Sequence, residues 1–262
     1  TEAMLMVPSL IVSLIYGDGD AMYFIGTIAF AAIAGFILSC VKAPERKMGS
    51  RDGYCIVALA WIIICIIGAV PLFLTGQFRS YWSALFEIVS GFTTTGASVL
   101  SNPEYLPHGV LFWRSFTHWI GGMGVLVFVM MITSLDDDNA MPLMRAEVPG
   151  PEADKLVPKA RRTAKILYGM YFALTAVETV FLMAGGMSFF DALLHAFSTA
   201  GTGGFSNKNA SVGFFDSAYI DGVITVFMIL FGINFSAYFL LLSKKLRQAI
   251  HMEEVRWYLI II

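Results

Sequence analysis

The chain has 262 residues, 57% of them hydrophobic and 14% charged, with a formal net charge of -2. This composition excludes an ordinary soluble domain and points to a membrane protein. The near-neutral balance gives no sign of a nucleic-acid partner. Cys40, Cys55 and Cys65, which lie in or beside apolar runs, have the spacing of neither a disulfide framework nor a metal site. His108, His118, His195 and His251 show no metal-ligand spacing either.

In chain order, the run Met4 to Tyr16 is too short to span a bilayer by itself, and Ala21 to Val41 is long enough. Gly53 to Thr75, Gly109 to Ser134, Ala164 to Gly185 and Val223 to Leu242 follow as further candidate spans, since roughly 20 residues of helix cross the hydrocarbon core. The chain starts at Thr1 and stops inside the apolar run Trp257 to Ile262, so it is expected to be a fragment cut within a membrane helix at each end. Thr1-Glu-Ala lacks the basic region of a signal peptide.

Basic residues cluster by loop. Lys42 to Arg51 holds four Lys and Arg, Arg145 to Lys165 six and Lys244 to Arg256 four, which is 14 of the 17. Arg79, Arg114 and Lys208 remain for the other side. The positive-inside rule makes the three basic loops cytoplasmic. The expected organisation is part of an N-terminal helix pair in 1–41, a first repeat in 53–134, a cytoplasmic loop in 135–162, a second repeat in 163–242, and a further loop with the start of a third repeat in 243–262.

Both outer connections open with a helix-like segment of half length, Ser80 to Gly91 and Ser188 to Thr199. Twelve residues give about 18 Å of helix, enough to enter a bilayer but not to cross it. Each is followed by a Gly/Thr stretch, SGFTTTGAS at 90–98 and STAGTGGFS at 198–206. Aligned at an offset of 108, residues 80–98 and 188–206 share seven identities: Ser80/Ser188, Ala84/Ala192, Leu85/Leu193, Ser90/Ser198, Thr94/Thr202, Gly96/Gly204 and Ser98/Ser206. The pattern is an internal repeat, and an even number of crossings between the copies makes the repeats parallel.

Irregular backbone at membrane depth is tolerated only inside protein or along a watery cavity. A Gly/Thr stretch after a half-helix suits a cation filter, in which backbone carbonyls replace the hydration shell of the ion. The candidate ion-binding residues are Thr93, Thr94, Thr95 and Gly96, and Gly201, Thr202, Gly203 and Gly204. The negative end of each half-helix dipole favours a cation beyond it. Ser80 is a candidate N-cap, and Ser188-x-x-Asp191 resembles a capping box. Neither filter segment contains a carboxylate, which favours carbonyl coordination of a monovalent ion. A single small-residue run is more often a packing site or a turn; two copies in register weigh against that. Gly121-Gly-Met-Gly124 reads as close packing or a flexing point, and Asp136-Asp-Asp138 as a solvated turn. Glu87, Glu178 and His195 lie in apolar surroundings, where ionisable groups are functional candidates, although Glu87 and His195 also suit a role of tying half-helices to neighbouring spans.

The paired Gly/Thr stretches, Arg114-Ser-Phe-Thr-His-Trp-Ile-Gly-Gly-Met-Gly124, Met144-Arg-Ala-Glu-Val-Pro-Gly-Pro151 and Lys155-Leu-Val-Pro158 resemble the membrane subunit of bacterial Trk-type potassium uptake systems, the TrkH class. The resemblance covers nearly the whole chain. It implies an all-α polytopic fold of four parallel units around one pore, each a helix, a re-entrant pore helix with its filter loop, and a helix; two of the four are present here. It also implies a homodimer in the bacterial inner membrane and a cytosolic, TrkA-like ring subunit with nucleotide-binding regulatory domains. Family filters centre on one glycine per repeat, which here falls on Gly96 and Gly204. A gating loop in a third repeat and a basic residue in a fourth lie beyond this chain, so the chain alone is not expected to conduct.

The expected function is potassium uptake with filter loops facing outside, potassium as the transported ion and no cofactor. Two alternatives stand beside it. One is an ion- or proton-coupled secondary transporter using Glu87, Glu178 or His195. The other is an intramembrane enzyme using Ser90 or Ser198 with His195. No Walker-type GxxxxGK[ST] run is present.

Overall fold

A computed structural model describes residues 2–40, 50–124, 160–242 and 245–262. Every regular element among them is helical. Two short helices, α1 (Glu2–Leu5) and α2 (Val7–Tyr16), lead through a Gly17-Asp-Gly-Asp20 turn into α3 (Ala21–Ser39). Next come α4 (Ser50–Leu74), α5 (Tyr81–Phe92) and α6 (His108–Met123). The same succession of long, half-length and long follows in α7 (Ala160–Ala184), α8 (Phe189–Ala200) and α9 (Ala218–Gly232). The chain closes with α10 (Phe235–Leu242), α11 (Leu246–Ile250) and α12 (Glu253–Ile261).

Among the described residues three helices are long and apolar enough to cross a membrane, Ala21–Ser39, Tyr54–Leu74 and Lys165–Ala184. Large apolar side chains stand exposed along them, including Ile33, Phe36, Leu59, Ile62, Phe172 and Val180. In water such surface would be costly; against lipid it is the solvated face.

The other two apolar runs are interrupted. The helix through Gly109 ends at Met123, because Gly124 takes φ 84° and ψ 131°, which no helix continues. The run Val223 to Leu242 is divided between α9 and α10, with Ile233 extended at φ -72° and ψ 135°. Gly232 and Asn234 flank the break, and both are poor helix formers. Carbonyls near it find side-chain donors: the Tyr238 hydroxyl donates to Leu230 O at 2.7 Å and the Tyr258 hydroxyl to Ile229 O at 3.0 Å. Pro71 inside α4 poses the same problem. The carbonyl that Pro71 leaves without its helical donor is Ile67 O, and the carbonyls on either side of it accept from side chains: Ile66 O from the Tyr81 hydroxyl at 2.7 Å and Gly68 O from the Trp113 indole at 3.0 Å.

Helix α6 sits at the centre. It packs against α2, α5 and α8, while α5 also packs on α4, and α8 on α7 and α9. Trp113, Ile120 and Val110 of α6 are fully buried together with Ile88 and Phe92 of α5 and Leu194 of α8. The loop Met144 to Pro158 and Asp136-Asp-Asp138 lie outside the described residues.

Candidate functional site

The two half-length helices begin alike. Ser80 is extended and its hydroxyl accepts from Ser83 N at 3.2 Å; Ser188 is extended and its hydroxyl accepts from Asp191 N at 3.1 Å. Such a cap satisfies one of the four orphan donors at a helix start. The Asp191 carboxylate does not complete a reciprocal box. It accepts instead from Asn207 Nδ2 at 2.5 Å and lies 3.8 Å from Lys208 Nζ, which joins the start of α8 to the chain beyond its C-terminus.

They also end alike. Thr93 N, Thr94 N and Thr95 N donate to Val89 O, Gly91 O and Ser90 O at 2.9, 3.0 and 2.9 Å. Gly201 N, Thr202 N and Gly203 N donate to Phe197 O, Thr199 O and Ser198 O at 3.2, 2.8 and 3.0 Å. Every donor and acceptor of the second set is the first set advanced by 108 residues. Thr94 and Thr202 take φ 54° and 53°, and Gly96 and Gly204 take 74° and 85°. Glycine tolerates that region freely, whereas a threonine there stores strain on the order of 1–3 kcal/mol. Thr94 and Thr202 thus carry the same strain at matched positions of the two stretches. Thr93, Thr95, Thr202 and Gly204 are exposed, and Thr94, Gly96 and Gly203 are half-buried.

The two stretches meet. A Cβ on Gly96 would overlap the carbonyl oxygen of Gly203. Helix α6 separates the helix ends behind them with its smallest residues: a Cβ on Gly121 would overlap Phe92 O, and one on Gly122 would stand 3.2 Å from Ala200 O and 3.0 Å from Gly201 Cα. Gly121 and Gly122 are thus close-packing positions, at which the C-termini of α5 and α8 converge on one helix turn. Both helix dipoles turn their negative ends to that point.

Behind each stretch a buried polar side chain holds the strand that leaves it. In the first, the fully buried Glu87 accepts from Ser98 Oγ at 2.8 Å and from Val99 N at 3.0 Å. In the second, His195 occupies the matching position. Its Nδ1 lies 2.7 Å from Asp191 O, which can only accept, so the neutral ring carries its proton there and its Nε2 accepts from Ser206 Oγ at 3.0 Å. Thus 87 holds 98 and 195 holds 206, again at an offset of 108. His195 therefore faces Ser206 and not Ser198, so the serine nucleophile with a histidine base has no geometric counterpart.

In the sequence, Arg114 and His118 enter only through counts of charge and histidine and within the 114–124 stretch, and neither is assigned a role in the site. Arg114 does not belong to an outer loop. It lies within α6, 3% exposed, with Nε donating to Glu87 Oε1 at 2.5 Å and Nη1 to Ser206 O at 2.8 Å. Its guanidinium carbon stands 3.7 Å over the Phe205 ring, whose other neighbour is His118 at a centroid distance of 4.1 Å. A charged residue inside an apolar helix is a signal for a buried partner; here Glu87, an unpaired carboxylate on another apolar helix, was that partner. Glu178 is fully buried on α7. The described residues contain no group of His, Cys, Asp and Glu able to hold a metal.

Comparison with known proteins agrees with this architecture. A family model described as TrkH, cation transport protein, matches residues 20–258. The chain is 39% identical over 240 residues to the Trk system potassium uptake protein TrkH of Halomonas elongata, covering 90% of this chain and 50% of that protein. It is 34% identical over 260 residues to the Trk system potassium uptake protein TrkG of Escherichia coli, covering 98% of this chain and 54% of that protein. The crystal structure of the potassium transporter TrkH from Vibrio parahaemolyticus superposes with a TM-score of 0.77 at 32% identity, covering 92% of this chain and 49% of that one. The chain thus spans about half the length of the relatives it matches.

Proposed function

Because the chain belongs to the TrkH family of cation transport proteins, a family of transporters and not of enzymes, we propose that it supplies two of four filter segments of a potassium uptake pore. Thr93 to Gly96 and Gly201 to Gly204 present backbone carbonyls in place of the hydration shell of the ion. The observation that carries this reading is the matched backbone path, with left-handed residues at 94 and 96 and again at 202 and 204. Exposed flanking threonines and two converging helix C-termini support it, since both favour a cation near the glycines.

Two further segments of the same kind complete the ring in the full-length protein, in a bacterial inner membrane with the basic loops cytoplasmic. Potassium then moves inward down its electrochemical gradient. A potential of 100 mV, inside negative, is worth about 2.3 kcal/mol per charge, or roughly 50-fold accumulation. Assembly as a homodimer and gating by a cytosolic nucleotide-binding ring subunit, TrkA-like, complete the proposal. The glycine seam at Gly121 and Gly122, where α6 touches the ends of both half-length helices, is the place at which a gating movement would reach both segments.

Rubidium flux into liposomes containing the full-length protein tests this. Potassium should compete far better than sodium, and Gly96→Ser and Gly204→Ser should each erode that preference, because a side chain there displaces a coordinating carbonyl. Flux indifferent to both substitutions would overturn the filter. Glu87 and His195 already spend their polar atoms on protein partners. Flux that follows an imposed pH gradient would therefore favour coupled transport through Glu178 instead.

A further inference from the structure

We propose that Arg114, acting through Glu87, is a positioning residue for ion selectivity: one buried guanidinium sets the spacing of the two filter segments from behind. This rests on the filter reading above. On one side the carboxylate that Arg114 binds holds Ser98 Oγ at 2.8 Å and Val99 N at 3.0 Å, two and three residues beyond Gly96. On the other, Arg114 Nη1 donates to the carbonyl of Ser206 at 2.8 Å, two residues beyond Gly204. The strands leaving both filters are therefore fastened to the same side chain.

A second route runs through rings. Arg114 lies over Phe205, Phe205 meets His118 edge to face, and a Cβ on Gly203 would overlap the His118 imidazole. Displacement of the guanidinium is thus felt at Gly203 through packed atoms as well as at Ser206 through a hydrogen bond. Filter strands are short and their carbonyls must be held to within a fraction of an ångström, so support from behind decides which ion fits.

The residue type matters. A guanidinium divides its donors between a carboxylate and a carbonyl while lying flat on an aromatic face. A lysine keeps the charge but is a compact point donor, and cannot do all three in one geometry. The strut is also not repeated. At an offset of 108 from Arg114 the chain has Gly222, and at that offset from Glu87 it has His195, which holds Ser206 without an arginine bound to its ring; the cation nearby is Lys208, paired with Asp191 at 3.8 Å. The one guanidinium therefore reaches both segments, and its role extends beyond holding its own pore helix.

The test uses the full-length protein in liposomes, with rubidium flux competed by potassium or by sodium and normalised to the protein inserted. The variants are Arg114→Lys, Ser98→Ala and, as a reference for the filter itself, Gly96→Ser. Arg114→Lys is expected to lower the potassium-over-sodium preference about tenfold, and Ser98→Ala to lower it less, with flux per inserted molecule retained. A merely structural role would lower the amount inserted and the flux together and leave the preference intact. If Arg114→Lys fails to insert, Ser98→Ala decides, since it removes the hydroxyl's hydrogen bonds, to Glu87 and from Leu100 N, and no charge: a lowered preference supports the strut and a native one overturns it. Native preference in both variants, with Gly96→Ser impaired, defeats the strut alone. Native preference in all three defeats the filter reading itself.

Discussion

At the scale of single residues, the site depends on places where a side chain is missing. Gly203 has no Cβ because the imidazole of His118 occupies that space, and His118 is fully buried against Phe205 and cannot swing aside. Gly203→Ala should therefore destabilise by about 1–3 kcal/mol through overpacking, read as a lower melting temperature of the full-length protein. Adding His118→Ala should recover part of the loss, because the ring is the obstacle. A Gly203→Ala protein as stable as the native one would mean that the close approach does not exist. The small residues themselves were legible in sequence, since Gly and Thr rarely recur in register within apolar runs. Arg114 and His118 were not, because nothing in their local sequence says that a basic residue and an imidazole reach the strand of the next repeat 90 residues away. Arg114 breaking Glu87's isolation is a long-range fact, and removing either partner of such a buried pair costs about 3–5 kcal/mol.

At the scale of elements, composition and length were enough for α3, α4 and α7, each with an 18-residue window of high mean hydropathy. The half-length helices were also legible, each bounded by a serine cap and by the Gly/Thr stretch. The breaks at Gly124 and at Ile233 were not. Hydropathy sums over a window and cannot register a single glycine with positive φ or a pair of tyrosine hydroxyls capping freed carbonyls. The turn between α2 and α3 shows how elements are tied outside the apolar helices. Burial opposes ionisation of Asp18, but His108 outweighs it, with its backbone N donating at 2.6 Å and its ring Nδ1 at 2.8 Å, and holds the Asp18 carboxyl below its ordinary 3.8. A depressed carboxyl stabilises above its unfolded value, and that contribution is lost as pH falls through its folded one. Native protein should accordingly melt higher than Asp18→Asn near neutrality and lose that lead as pH drops below 3.8. The pair is partly exposed, so the lead should stay within about 1 kcal/mol. An equal difference at every pH would remove Asp18 from the account.

At the scale of the whole molecule, two stretches 108 residues apart follow one backbone path, converge on one turn of α6 and share one buried cation. Such agreement at several levels, with two strained threonines at matched positions, supports the proposed role of the stretches as paired filter segments. Half the length of the matched relatives is here; in the proposed pore, matching segments of the full-length protein close the ring with the exposed Thr93, Thr95 and Thr202. The most direct test of that claim is the anomalous scattering of thallium or rubidium, potassium-like ions rich in electrons, in crystals of the full-length protein. The account predicts density on the axis beside the carbonyls of Thr93 to Gly96 and Gly201 to Gly204. Density lying instead against Glu178, or none beside the two Gly/Thr stretches, would contradict it.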